Sequence, residues 1–465
     1  MWKLISSNPF RLAFYFLMWV FAALTARELW TLLLTLPAFL IVIYNVIQIR
    51  SKNLSTDDML WFCMMMFFVV SPCQSINDGY FSSLAPAGNK VQYKLPEMYA
   101  AMGIVLIWLL GFTFGNARFF APKKTKKQRI ARNVRMYNTD IYLLLISGFI
   151  GTVGYIFFSG GLGNVLASRR HKESVEIVAY GFLAAQVTST ILISVIVNKS
   201  WKFDWGFLLR SGQIIILLIC YALMFLCLNI WNCPRFIFLG SWLPVAFALF
   251  GGKVNYKTSY IALFIGIIIV MPILSITSRS GTDALNDLTF GRSGGSAFQV
   301  QEVDLFDTLV HAVYITKKDG FMWGANITAI LLFFVPRNFW HQKPIVGGLV
   351  VGNDLHDHFG AGTPNLSFFI GGDAYLDFGY IGVAVIAVLV GVIWARVRHM
   401  EIRYLGINVP DLVLLGFIPI LVRGPVGAII GYLVCMICCL FLLYTFFKGR
   451  MLAMGETPVV RRRKA

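Results

Sequence analysis

Charge is scarce in this sequence. Only 13% of its 465 residues are Asp, Glu, Lys or Arg, and the acidic ones number 22. A soluble globular domain carries about 25% charged residues, so a string of soluble domains is excluded. Cysteine is sparse too: there are eight, and no CxxC pair has a matching partner pair. No phosphate-binding glycine pattern is present, and no inverted internal repeat of the kind that marks many transporters. What fills the chain is apolar. Hydrophobic residues make up 58%, with a mean hydropathy of +0.71. The expected fold class is an all-α polytopic membrane protein.

The 40 Lys and Arg leave a net charge of +18. In a soluble protein that excess would suggest nucleic acid. In a membrane protein it reads as the bias of cytoplasmic loops toward Lys and Arg, and no nucleic-acid partner is expected. A spanning helix needs about 20 mostly apolar residues. About twelve transmembrane candidates meet or approach this, at 10–26, 29–48, 59–75, 97–116, 139–158, 177–197, 211–229, 236–252, 258–276, 379–395, 411–422 and 426–447. The first apolar run continues into the second without a small-residue cleavage site, so no cleavable signal peptide is expected. The segment 118–135 holds Arg118, Lys123, Lys124, Lys126, Lys127, Arg129, Arg132 and Arg135 without an acid, and the tail adds Lys448, Arg450, Arg461, Arg462, Arg463 and Lys464. Placing both inside puts both termini in the cytoplasm. The chain then divides into an N-terminal bundle (1–277, about nine spans), a large outer loop (278–378), C-terminal spans (379–447) and a basic tail (448–465). Cys73 and Cys233 both fall near outer ends, where a disulfide is conceivable. The Met64–Met66 run reads as packing or lipid-facing side chains.

The chemistry gathers in the outer loop. Five of the six histidines are outside on this topology: His171, His311, His341, His356 and His358. Residues 302–318 read as an amphipathic helix, with Val303, Phe306, Leu309, Val310 and Val313 at helical spacing, to lie on the membrane or pack over the bundle. Residues 325–335 are too short to span, which predicts a re-entrant or interfacial element. Arg423 sits at the outer turn of the last helical hairpin, where a membrane-depth arginine is costly and so reads as functional. Arg169 and Arg170 on a short outer loop, and Arg279 and Arg292 at the start of the long one, oppose the orientation bias. Convergent arginines bind phosphate or carboxylate bidentately and stay charged. His356-x-His358 could bind metal, although a solvated polar loop is the plainer reading and no metal is expected. Asp373 and Asp377 lie four apart at the entry to the tenth span, as a general base or as helix-dipole partners. The glycines from Gly347 to Gly372 predict a flexible stretch.

The stretch Phe334-Val-Pro336-Arg337-Asn-Phe-Trp340-His-Gln-Lys343-Pro344 resembles a signature of the bacterial oligosaccharide repeat-unit polymerases, the Wzy-type O-antigen polymerases. The downstream Gly372-Asp373-Ala-Tyr375-Leu-Asp377-Phe378-Gly379 is similar to that family's entry into the next helix. It departs by carrying Asp373 where Glu is common and Asp377 where Asn is common. The turn Leu421-Val-Arg423-Gly424 is similar to the family's late arginine. The resemblance implies en bloc transfer of a glycan from undecaprenyl pyrophosphate onto the next lipid-linked repeat unit at the periplasmic face of the inner membrane. It implies no cofactor, and a chain-length regulator protein as a partner besides membrane lipid. Arg337 and Arg423 would face the pyrophosphate, and Asp373 or a loop histidine would be the base. Arg169, Arg170, Arg279, Arg292, Lys343, His356, His358 and Asp377 would bind lipid or glycan. An O-antigen ligase shares this chemistry. A flippase or transporter is the competing class, and it predicts charges at mid-membrane in both halves.

Overall fold

The computed structural model describes residues 9–24, 29–49, 51, 53–78, 80–81, 91–92, 94–117, 132–134, 140–167, 177–200, 212–229, 231–250, 256–266, 305–335, 339–359, 366–398, 402–404 and 407–453. In chain order the helices are α1 (Pro9–Leu24), α2 (Leu29–Ile47), α3 (Thr56–Met65), α4 (Ser71–Asp78), α5 (Leu95–Gly115), α6 (Asp140–Phe158), α7 (Leu162–Leu166), α8 (Ile177–Ser200), α9 (Gln213–Cys227) and α10 (Arg235–Phe250). They continue with α11 (Tyr256–Ile265), α12 (Leu305–Asp319), α13 (Ala325–Leu331), α14 (Gly347–Phe359), α15 (Ile370–Val397), α16 (Val409–Arg423) and α17 (Val426–Ala453). A π-helical turn, Met66–Val70, joins α3 to α4. Strands are limited to short pairs in the connections. β1 (Tyr80–Phe81) runs antiparallel to β2 (Val91–Gln92). β3 (Arg132–Val134) lies parallel to β4 (Ile402–Tyr404), which pairs antiparallel with β5 (Ile407–Asn408). The fold is all-α, and among the described residues seven helices are long and apolar enough to cross a membrane. Pro9–Val20, Gln213–Cys227 and Ile237–Phe250 are shorter apolar helices. The expected span at 258–276 is described only to residue 266, as α11 and the residue that follows it.

The contacts group the chain into two units, neither continuous in sequence. The first holds residues 1–121, 255–398 and 418–428, and the second 122–254, 399–417 and 429–465. The first therefore joins the described part of residues 278–378 to the N-terminal helices.

In the first unit the helix starting at Thr56 is the centre. Of Thr56–Cys73, 94% is buried, against 39% of Trp30–Ile47. Its Met64, Met65 and Met66 are all core. α5 packs on α15 through small residues. A Cβ on Gly111 would meet Ala387 Cβ at 2.8 Å, and one on Gly115 or Gly391 would overlap the facing backbone. Close approach of small residues is how apolar helices associate where lipid removes the hydrophobic drive between them. Polar contacts collect at two ends of this unit. At one end Arg11 meets Asp58 and Arg398 meets Asp57. At the other, Ser75 Oγ donates to Asp307 and Lys317 meets Glu97 at 3.6 Å. Each pair joins segments that the expected topology assigns to one side.

The second unit packs α6 on α8, again through glycine: a Cβ on Gly151 would lie 2.7 Å from Phe182 O. Ser241 and Tyr432 share a buried 2.8 Å hydrogen bond, and Asn232 Nδ2 donates to Val165 O at 3.0 Å. Arg450 pairs with Asp140, and β3 pairs with β4. These contacts too join segments assigned to one side. Cys73 and Cys233 are buried, and none of the eight cysteines is in a disulfide, so the conceivable bridge is not formed.

Candidate functional site

α12 is the expected amphipathic helix, and it packs rather than lying on a surface. Leu305 through Val313 are all buried, the polar Asp307, Thr308 and His311 included. A helix buried on its polar side needs partners for that side. Asp307 accepts from Ser75 at 2.7 Å, and Thr308 Oγ1 donates to Ser367 O at 2.7 Å. His311 Nε2 lies 2.8 Å from Asp354 Oδ2, and Lys318 Nζ lies 3.4 Å from Asp354 Oδ1.

Asp354 stands on α14, and here the structure corrects two expectations. The stretch from Gly347 is a 13-residue helix, not a flexible or solvated loop. Gly347 and Gly348 open it because they are pressed against neighbours: a Cβ on Gly347 would meet Asp373 Oδ1 at 2.6 Å, and one on Gly348 would meet Pro425 Cβ at 3.3 Å. Positions 356 and 358 are two apart on this helix, a spacing that does not share one face. His356 is exposed, and among the described residues no group of His, Cys, Asp or Glu is arranged to hold a metal.

The two carboxylates at the start of α15 separate into different tasks. Asp377 is fully buried and caps α13. Its Oδ1 accepts from Asn326 N (3.1 Å) and Nδ2 (2.7 Å), and its Oδ2 accepts from Ile327 N (2.8 Å). Those are orphan donors at a helix start, so Asp377 serves a structural need first. Asp373 is 2% exposed and accepts a single hydrogen bond, from Gly347 N at 2.9 Å. A carboxylate has room for about four, so Asp373 keeps most of its accepting capacity. Lys343 also turns inward to the backbone. Its Nζ donates to the carbonyls of Leu332, Phe333 and Val335 at 2.9, 3.1 and 3.0 Å, closing the C-terminal end of the α13 segment.

Arg423 ends α16 and is 7% exposed. Gly424 beyond it has φ 74°, and a Cβ there would overlap Phe368 O, so only glycine makes this turn. The turn thereby packs on Phe368 and Phe369 before α15 and, through Pro425, on the start of α14. One packed region thus contains Arg423, the Gly347–Gly348 helix start and Asp373. Arg169, Arg170, Arg279, Arg292 and Arg337 lie outside the described residues.

Two pairings were not foreseen from the sequence. His311 and Asp354 are 43 residues apart, and the signal available was a histidine on the apolar stripe of an amphipathic helix. Arg11 and Asp58 form the second. Arg11 Nε donates to Asp58 Oδ1 at 2.7 Å, its Nη2 to Ser51 O at 2.8 Å, and Tyr260 OH to Asp58 Oδ1 at 2.8 Å. An arginine inside the first apolar run was the clue. No family model, no curated protein and no solved structure matches this chain, so its candidate chemistry stands on these residues.

Proposed function

We propose that this protein is a Wzy-type polysaccharide polymerase, a glycosyltransferase of about twelve spans working at the periplasmic face of a bacterial inner membrane, with both termini in the cytoplasm. Its donor would be a glycan on undecaprenyl pyrophosphate. The acceptor hydroxyl of a second lipid-linked repeat unit attacks the anomeric carbon, the bond to the pyrophosphate oxygen breaks, and its electron pair leaves on the pyrophosphate. Arg423, with Arg337, stabilises that developing charge. Asp373 takes the acceptor proton. Lys343 and Asp377 hold the α13 segment in place, and His311 with Asp354 ties α12 to α14.

The observation that carries this reading is the packing of buried Arg423 into the same region as Asp373, through Gly424, Pro425 and the start of α14. A buried arginine on the turn that packs against the helix start holding Asp373, with spare acceptor capacity on that carboxylate, suits anion departure coupled to proton removal. An arginine of this kind is worth on the order of 100- to 1,000-fold in rate. Arg423→Ala or Arg337→Ala is therefore expected to abolish long glycan chains while single-repeat glycolipid persists, read by gel banding of extracted surface glycolipid. Normal ladders in both variants would sink the mechanism. Repeat units stranded on the cytoplasmic face of a deletion strain would favour a flippase instead.

A further inference from the structure

α15 is broken at Gly379, whose φ of 63° and ψ of −151° are not helical. Only glycine takes this conformation readily, and the site is crowded besides, with Phe321 Cζ 3.1 Å from where a Cβ would stand. From Gly379 to Arg398 the helix rises about 29 Å at 1.5 Å per residue. A hydrocarbon core is about 30 Å thick. The stretch between the break and Arg398 is therefore the length of one crossing.

Both ends of that stretch carry the residues that mark a membrane boundary. At one end Trp394 Nε1 and Arg398 Nη1 each donate to Asp57 at 3.2 Å. At the break, the loop before α13 is laid onto α15 by its backbone. Met322 N donates to Leu376 O at 2.9 Å and Trp323 N to Asp377 O at 3.2 Å. That loop presents Trp323, 78% exposed, with Phe321 beside it and Phe378 exposed on α15 itself. Trp323 is held at φ 50°, the one positive value among the described non-glycine residues. Further along, Phe334 and Phe339 are exposed, Phe339 to 85%. Aromatic side chains left outward in such number mark a lipid or partner surface, and Trp in particular collects at the headgroup level.

We propose that residues 321–335 and 339–345 rest on the headgroup layer of the bilayer leaflet at this end, with Trp323 and Phe339 inserted and Gly379 marking the hydrocarbon edge. Lipid is the occupant because the apolar surface continues across the break, from Phe378 onto Ile381, which is 77% exposed on the spanning stretch. The consequence is a height for the candidate site. Asp373 is six residues before Gly379, no more than about 9 Å above the hydrocarbon edge. Each interfacial layer is roughly 5–8 Å deep. Asp373 is thus held at the level of the lipid phosphates. The inference rests on α15 spanning the membrane and not on the polymerase reading.

The test is spin-label depth measurement on full-length protein in vesicles of phosphatidylethanolamine and phosphatidylglycerol. Nitroxides are placed by Trp323→Cys, Phe339→Cys, Ile381→Cys and His356→Cys, with Cys435, Cys438 and Cys439 replaced by Ala. Accessibility to oxygen over a water-soluble nickel complex should be high at 381, intermediate at 323 and 339, and low at 356. Labels at 323 and 339 as water-exposed as 356 would overturn the proposal. So would protection from both reagents with spin–spin broadening between copies, which would make the patch a protein interface. If Trp323→Cys fails to fold, Phe339→Cys alone decides the matter. Glycan ladders play no part in this readout, so loss of the polymerase reading would leave it standing.

Discussion

The two ends of the first unit bury charge in different ways. At the Arg11 end, guanidinium and carboxylate neutralise each other. Asp58 also accepts from Tyr260 and, within the α3 capping box, from Ser55 N at 2.9 Å. Every acceptor lobe is used, and the cluster is closed. At the Asp373 end the carboxylates are held by neutral donors, Asp377 by three and Asp373 by one. A closed pair fixes where helices stand. An under-coordinated carboxylate has capacity left for a ligand or a proton. The contrast separates architecture from chemistry within one packed body.

The comparison breaks most visibly at the closed end. Asp58→Ala strands a fully buried arginine, and removing one member of such a pair costs about 3–5 kcal/mol. The purified variant should unfold at markedly lower temperature, while Arg11→Met with Asp58→Leu together recovers most of the loss. An equal loss in the double variant would show that the pair does more than neutralise itself. At the open end, Asp373→Asn keeps an oxygen to accept from Gly347 N but cannot take a proton. Polymer formation should fall about 100-fold or more with thermal stability nearly unchanged. Retained polymerisation would remove Asp373 from the chemistry. The smallest effect belongs to Asp377→Asn. One oxygen is replaced by a donor facing the Ile327 N–H, which costs about 1–2 kcal/mol of stability. Chain formation should survive at permissive temperature; if it vanishes while stability holds, the structural role given to Asp377 is wrong.

The membrane class and the helical character were legible from the sequence because apolar run length is a one-dimensional quantity. The amphipathic helix at 302–318 was legible too, since its apolar period is local, and Lys317 and Lys318 in its last turn suit the helix dipole. The packing of that helix was not, because period alone cannot say what covers an amphipathic face. Gly347 to Gly372 misled in an instructive way: glycine usually signals flexibility, yet Gly347 and Gly348 open a helix there because neighbouring side chains leave no room for a Cβ. Lys343, read from the sequence as a lipid- or glycan-binding residue, donates to three carbonyls, a contact visible only once α13 ends beneath it.

By itself the sequence determined that the chain is a multi-span helical membrane protein and that its informative polar residues are few. Hydropathy and charge bias act on each segment separately, so they can be read without a fold. Only the tertiary structure decided which of those residues are consumed by architecture and which remain available. That depends on partners tens of residues away: Arg11 with Asp58, His311 with Asp354, and Asp373 with the start of α14. Desolvation makes each buried polar group demand a partner, and the identity of the partner is set by packing.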